Sequence, residues 1–259
     1  MELDIFQIDA FTDRVFGGNP AAVIVLDAWL NDTTMQRIAL ENNLSETVFI
    51  VLSDSDNQIR WFTPSVEVDL CGHATLAAAY VLFNYDYISG STVNFQSKSG
   101  VISVESNGNL LSLDFPSRPA TNTVDLKCLH SALGIKPLEA FQSRDTMAVF
   151  SSQEEIEAIS PDFELVKNID TFAIIVTAPG NDCDFVSRFF APAAGVLEDP
   201  VTGSAHCTLA PYWANKLNKE SLVAKQLSKR GGKLFCHVRG DRVIISGNSV
   251  AYMRGKINI

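Results

Sequence analysis

The sequence has no apolar stretch long enough to cross a bilayer as a helix. Its longest helix-like apolar run, residues 74–83, is about half of the ~20 residues that a span needs, and reads as a buried core helix. No membrane association is expected. Positive charge is scarce: 20 Lys and Arg stand against 30 Asp and Glu, a net charge of -10. No chain-wide positive field exists to attract a phosphate backbone, so nucleic acid is not an expected partner. A small anionic metabolite stays possible, because a local set of backbone N–H groups outweighs a distant acidic surface. The first residues, Met1-Glu-Leu-Asp-Ile5, are acidic where a secretory signal is basic and then apolar. The five cysteines, at 71, 128, 183, 207 and 236, are odd in number and lack C-x-x-C spacing. Neither a disulfide framework nor a zinc site is indicated. A reducing, cytoplasmic setting fits this usage.

With 46% hydrophobic and 19% charged residues in 259, the chain has the balance of a globular protein with a substantial core. Strand patterns cover residues 3–11 and 21–26, separated by the turn-rich Arg14-Val-Phe-Gly-Gly-Asn-Pro20. Asp32 is placed as N-cap of a helix whose Met35, Ile38 and Ala39 share one face and which ends on the left-handed former Asn42-Asn43. Strands follow at 47–52 and 59–62, joined by a polar turn from Ser53 to Asn57. After the apolar helix come strands at 92–96, 101–105 and 110–115, the last two joined at Asn107-Gly108 in an expected type I′ hairpin.

The order then recurs. Arg188-Phe-Phe-Ala-Pro192 echoes Arg60-Trp-Phe-Thr-Pro64, and Gly203-Ser-Ala205 echoes Gly72-His-Ala74, each pair followed by an apolar helix and then strands. A duplication into residues 1–117 and 118–259 is the expected organisation, divided near Pro116-Ser-Arg-Pro119. The last strand, near residues 250–257, is a candidate to cross back to the first half. In both halves a strand enters a glycine turn and then a helix, whose first N–H groups lack intrahelical partners and favour a carboxylate. A pseudo-twofold arrangement would turn both starts, at Gly72 and Gly203, toward one cleft. Taken singly, the two glycines read more simply as tight turns.

Around these starts stand the chemically able side chains. His73 follows Gly72, and Ser204 takes the same place after Gly203; each also reads as a helix cap or a structural group. Asp199 lies in the sharp turn Glu198-Asp-Pro-Val-Thr-Gly-Ser204, where turn capping is the simpler role. Glu46, in Leu44-Ser-Glu-Thr-Val-Phe-Ile50, is a carboxylate entering an apolar strand, where partial burial would favour its protonated form and suit acid/base work.

These segments together resemble the PhzF family of phenazine-biosynthesis-like proteins, which are related in fold to diaminopimelate epimerase. The resemblance is carried by Asp9-Ala-Phe-Thr, Phe16-Gly-Gly-Asn-Pro20, Asn43-Leu-Ser-Glu-Thr47, Phe62-Thr-Pro64, Asp69-Leu-Cys-Gly-His-Ala-Thr75 and Glu198-Asp-Pro-Val-Thr-Gly-Ser-Ala205, in order over most of the chain. It implies an α+β fold of two pseudo-symmetric domains, each a curled, mostly antiparallel sheet around a central helix. It implies Glu46 as the acid/base residue, with His73 and Asp199 beside it. Asn19, Gly72, Gly203 and Ser204 are then expected to hold the substrate. The family's characterised chemistry, isomerisation of a dihydro-hydroxyanthranilate, implies an enzyme with no organic cofactor and no metal, acting on a small anionic substrate as a homodimer.

Two other functions stay open at the level of sequence. One is an amino-acid epimerase or racemase using Cys71 and a second base, although the duplicated position holds Thr202-Gly-Ser204 and Cys207 lies about a helical turn further on. The other is a metabolite-binding protein that turns nothing over.

Overall fold

A computed structural model describes residues 1–53 and 56–259. The turn expected at Ser53 to Asn57 lies partly outside the described residues. The chain divides into two compact units, Met1–Asp114 with Ser246–Ile259, and Phe115–Ile245.

The first unit runs β1 (Glu2–Ala10), β2 (Asn19–Leu26), α1 (Asp32–Asn42), β3 (Glu46–Val51), β4 (Asn57–Phe62), β5 (Glu67–Val68), α2 (Gly72–Asn84), β6 (Thr92–Ser97), β7 (Gly100–Asn107) and β8 (Leu110–Pro116). The second runs β9 (Asn122–Thr123), α3 (Leu126–Leu133), β10 (Glu139–Gln142), β11 (Thr146–Val149), α4 (Gln153–Ala158), α5 (Phe163–Lys167), β12 (Ile174–Pro179), β13 (Phe185–Phe190), α6 (Gly203–Leu217), β14 (Ser221–Gln226) and β15 (Gly232–Arg239). A last strand, β16 (Arg242–Asn258), starts in the second unit and ends in the first.

The fold is α+β, and strand pairing repeats the same sequence of orientations in both units. In the first, β1 and β2 are antiparallel, β2 and β3 parallel, β3 and β4 antiparallel, β4 and β6 parallel, and β6 and β7 antiparallel. In the second, the same alternation runs through β10, β11, β12, β13, β14 and β15. Parallel neighbours cannot be joined by a hairpin and require a crossover, which a helix ordinarily supplies. Each unit therefore carries helices at two fixed places: α1 or α4 with α5 in the first crossover, and α2 or α6 in the second.

The two crossovers of the first unit cover β2 on both faces. Met35, Ile38 and Ala39 of α1 pack against Ala22, Ile24 and Leu26 of β2 and Phe49 of β3. Alternation along the strand leaves Ala21 and Val23 for the other face, where α2 packs on β1, β2, β3 and β7. This explains why β2 reads as a nearly unbroken apolar run and why α2 buries almost every side chain from His73 to Leu82. The strand order β1-β2-β3-β4-β6-β7-β8 closes through β16, which neighbours both β8 and β1.

Each unit also carries the same arginine staple. Arg60 forks onto Glu67 at 2.7 and 2.8 Å with its guanidinium over Phe62. Arg188 forks onto Glu198 at 2.7 and 3.0 Å with its guanidinium over Phe190. Arg188 additionally donates to the carbonyls of Ile156 and Ile159 at 3.1 and 2.7 Å, satisfying the end of the short α4.

Three local expectations change in detail. The N-cap of α1 is Asn31, whose side chain accepts from the Thr34 N–H, while Asp32 is the first helical residue and pairs with Arg60. Asn107 pairs with Leu110, so the hairpin turns on Gly108-Asn109. Only Gly108 there has a positive φ, as a type II′ rather than a type I′ turn requires. The strand expected near residues 250–257 is the end of the longer β16, because Gly247 lets that strand run past Phe11: a Cβ there would sit 2.4 Å from the ring.

R188M would leave Glu198 and two helix-end carbonyls without their donor. It is expected to cost roughly 2–4 kcal/mol, read as a lower urea midpoint followed by tryptophan fluorescence.

Candidate active site

In the first unit, three segments remote in sequence bring side chains to the start of α2. The loop before β2 is shaped by Asp9, whose buried carboxylate accepts the Phe16 N–H at 2.9 Å. Gly18, at φ +60, passes so close to β1 that a Cβ would lie 2.1 Å from the Ala10 carbonyl oxygen. That approach sets Asn19 as the first residue of β2, opposite Ala10. Asn43 ends α1 in the left-handed region, and the Asn42 side chain donates to Thr47 Oγ1 at 3.0 Å. The parallel register then pairs Glu46 with Ala21, beside Asn19 on the neighbouring strand.

His73 joins them from the first turn of α2. Its Nε2 lies 3.0 Å from Glu46 Oε2, and its Nδ1 lies 3.2 Å from the Asn19 side-chain nitrogen and 3.4 Å from Cys71 Sγ. The imidazole is 6% exposed and the Glu46 side chain 17%. The pair is therefore covered, with the carboxylate keeping the greater access. At 3.0 Å it is in ion-pair contact, yet neither Nε2 nor Oε2 completes a directed hydrogen bond among the described residues.

Burial works against a charged imidazole, but Cys71 and Glu46 outweigh it and hold His73 well above the usual histidine range. Burial, reinforced by the Glu46 charge, pushes the Cys71 thiol up to about 11. Cys71 first and Glu46 second thus sustain a protonated His73.

No side chain caps α2: Cys71 occupies the N-cap without a side-chain bond. The first helical bond is Thr75 N–H to Cys71 O at 3.1 Å. The N–H groups of Gly72, His73 and Ala74 precede any intrahelical partner and carry the positive helix end. One ligand-capable atom from each of Glu46, Cys71 and His73 lies within 4.8 Å of the other two.

In the second unit, the turn before α6 places Asp199, Gly203 and Ser204. The Thr202 hydroxyl donates to Asp199 Oδ2 instead of capping α6, so this helix start too is free of a side-chain cap. Gln226, buried on β14, accepts the Thr202 N–H at 2.8 Å and donates to Asp199 O and Thr202 Oγ1 at 2.9 and 3.1 Å. Ser228 adds a bond to the Pro200 carbonyl at 2.7 Å. Asp199 is thus fixed by its own turn and by β14, while Ser204 takes the place in α6 that His73 has in α2.

Two residues here were not anticipated. Gln226 carries no sequence signal, since its role depends on which strand faces the turn. His206 occupies in α6 the place of Thr75 in α2, and both bond the carbonyl four residues back: Thr75 Oγ1 to Cys71 O at 2.6 Å, His206 Nδ1 to Thr202 O at 2.8 Å. Its Nε2 is buried without a partner among the described residues, and its ring lies 5.8 Å from that of Phe185. Burial lowers His206 to about 4, against the bond to Thr202.

Residues 8–255 match the family model for PhzC-PhzF, phenazine biosynthesis-like protein. The chain is 51% identical over 260 residues to an uncharacterized isomerase of Pseudomonas aeruginosa, covering 100% of both. The crystal structure of a phenazine biosynthesis protein of the PhzF family from Enterococcus faecalis superposes with a TM-score of 0.98 at 46% identity, again over 100% of both chains. A predicted epimerase from Pseudomonas aeruginosa, at 19% identity and a TM-score of 0.78 over 99% of each chain, shares the fold.

The neutral, buried His206 makes stability depend on acid. Its folded value, about 4, lies below the unfolded value near 6.5, so below pH 6.5 the unfolded chain takes up a proton that the folded chain refuses. Its contribution is complete at neutral pH and is lost as the pH falls from about 6.5 to 4, by up to about 3 kcal/mol. His206→Thr, which copies Thr75, is expected to flatten this part of a stability-against-pH curve measured by urea unfolding.

Proposed function

The chain belongs to the phenazine biosynthesis-like PhzC-PhzF family, and we propose that it moves a proton on a small carboxylate-bearing substrate, with Glu46 as the acid/base group. It is an isomerase-type enzyme of epimerase-like fold. The observation that carries the finer reading is the contact of Glu46 with His73 at 3.0 Å, beside a helix start without a side-chain cap.

Each part of that arrangement has a use. Glu46, the more exposed of the two, takes a proton from a substrate carbon and returns it at another carbon. The protonated His73 beside it offsets negative charge as the carbanion-like state develops, and it needs little solvent reorganisation because the ring is buried. Amide groups at Gly72 suit the substrate carboxylate. Gly203 and Ser204, at the other uncapped helix start, supply the same chemistry, and Asp199 is a second carboxylate held in a defined orientation. No organic cofactor enters this scheme. Asn19 is fully buried against His73, which favours a role in orienting the imidazole over direct substrate contact.

The thiols count against a two-base epimerase. Cys71 and Cys207 are both buried and both pushed up to about 11 by that burial, which leaves little thiolate to abstract a proton near pH 7.

The test is turnover in deuterium oxide of a dihydro-hydroxyanthranilate and of a panel of free amino acids. A single shielded carboxylic acid retains substrate hydrogen in the isomerised product, whereas two-base inversion labels the stereocentre with solvent deuterium. Glu46→Gln is expected to lower kcat about 10²–10⁴-fold. Unchanged turnover in that variant would remove Glu46 from the mechanism.

A further inference from the structure

The same corner of the first unit has a second chemical capacity that proton transfer does not use. Glu46, His73 and Cys71 offer oxygen, nitrogen and sulfur, a donor set suited to a borderline-soft divalent cation, where three protein ligands and a water complete a tetrahedron. The Oε2 to Nε2 separation is 3.0 Å, and among the described residues neither atom has another partner. Two ligands bound at ~2.0–2.1 Å with tetrahedral angles stand about 3.3 Å apart, so the carboxylate and imidazole already span a metal's bite. The imidazole, 6% exposed, turns this nitrogen toward the carboxylate and not into the core. Cys71 Sγ stands within the 4.8 Å cluster, and a closure of about 1 Å brings it to the separation of two zinc ligands.

We propose that Glu46, His73 and Cys71 form a binding site for one thiophilic divalent cation, of which Zn²⁺ is the natural example. On binding, the Cys71 S–H bond and the His73 Nε2–H bond break, both protons go to solvent, and the freed sulfur and nitrogen lone pairs bond the metal together with the Glu46 carboxylate oxygen that faces the imidazole. The ion takes the electron pairs through which the two groups exchange protons, so the bound form is an inhibited one. That consequence rests on the proton-transfer reading above, whereas the binding does not.

The experiment titrates the metal-free, full-length protein with Co²⁺, followed by Zn²⁺ displacement. The expected result is a thiolate-to-cobalt charge-transfer band in the near ultraviolet that saturates at one ion per chain. The band should be lost in Cys71→Ser and retained in Cys128→Ser, which removes an exposed thiol. Glu46→Gln should weaken Co²⁺ binding at least about tenfold, as loss of one of three ligands does. Circular dichroism shows whether Cys71→Ser is folded; should it not fold, the Glu46→Gln titration decides alone. Absence of the band in the wild-type protein, its persistence in folded Cys71→Ser, its loss in Cys128→Ser, or an unchanged affinity in Glu46→Gln each overturns the site.

Discussion

The parallel pairing of β2 with β3 is the constraint from which the arrangement around Glu46 follows. Two parallel strands force the chain to leave the sheet and return in the same direction, which is the work of α1. Because α1 must end before β3 begins, the left-handed turn at Asn43 and the bond from Asn42 to Thr47 decide where the strand starts. Glu46 is its first residue, and β2 begins next to it with Asn19. The second parallel pair, β4 with β6, places the start of α2 by the same logic. A carboxylate, an amide and an imidazole thus meet because two crossovers begin and end where they do.

The duplicated unit shows what such a scaffold conserves and what it lets vary. The arginine fork, the aromatic ring beneath it, the uncapped helix start and the residue bonding back to the N-cap carbonyl occur in both units. Glu46 and His73 do not recur as a pair. Where the first unit has an imidazole after its helix-start glycine, the second has Ser204. Its carboxylate, Asp199, comes from the preceding turn instead of a strand start. One framework therefore carries a carboxylate–imidazole pair in one copy and a rigid polar turn in the other.

Much of the fold was readable from residue pattern, and the reasons for the exceptions are physical. The buried α2 announces itself by apolar continuity, and the repeated order of strand, glycine turn and helix by its recurrence. The short α3, α4 and α5 escaped notice although Ser152 and Glu155 stand at capping-box spacing, because helices of eight residues or fewer carry too few turns for periodicity to show. The full length of β16 was not legible, because Gly247 serves the approach of Phe11, a contact that residue pattern does not show. For the candidate site, resemblance singled out Glu46, His73 and Asn19, but spacing could not show that they touch, since their meeting depends on register across two crossovers. Gln226 lies beyond both kinds of reading.

The two buried histidines show why residue type alone does not announce a role. Both lie near the start of a helix that crosses between parallel strands, and burial opposes the charged form of each. His73 faces a thiol sulfur and a carboxylate that together outweigh that cost, so the proton stays and the ring is a cation beside Glu46. His206 faces Phe185 and a single carbonyl, so the proton is refused and the ring becomes a neutral filler that donates one hydrogen bond. In a low-dielectric interior, the neighbours of a buried ring decide its protonation. The carboxylate among those of His73 is supplied by a strand that starts 27 residues earlier in the sequence. The electrostatics of the candidate site are therefore a consequence of strand register first and of residue identity second.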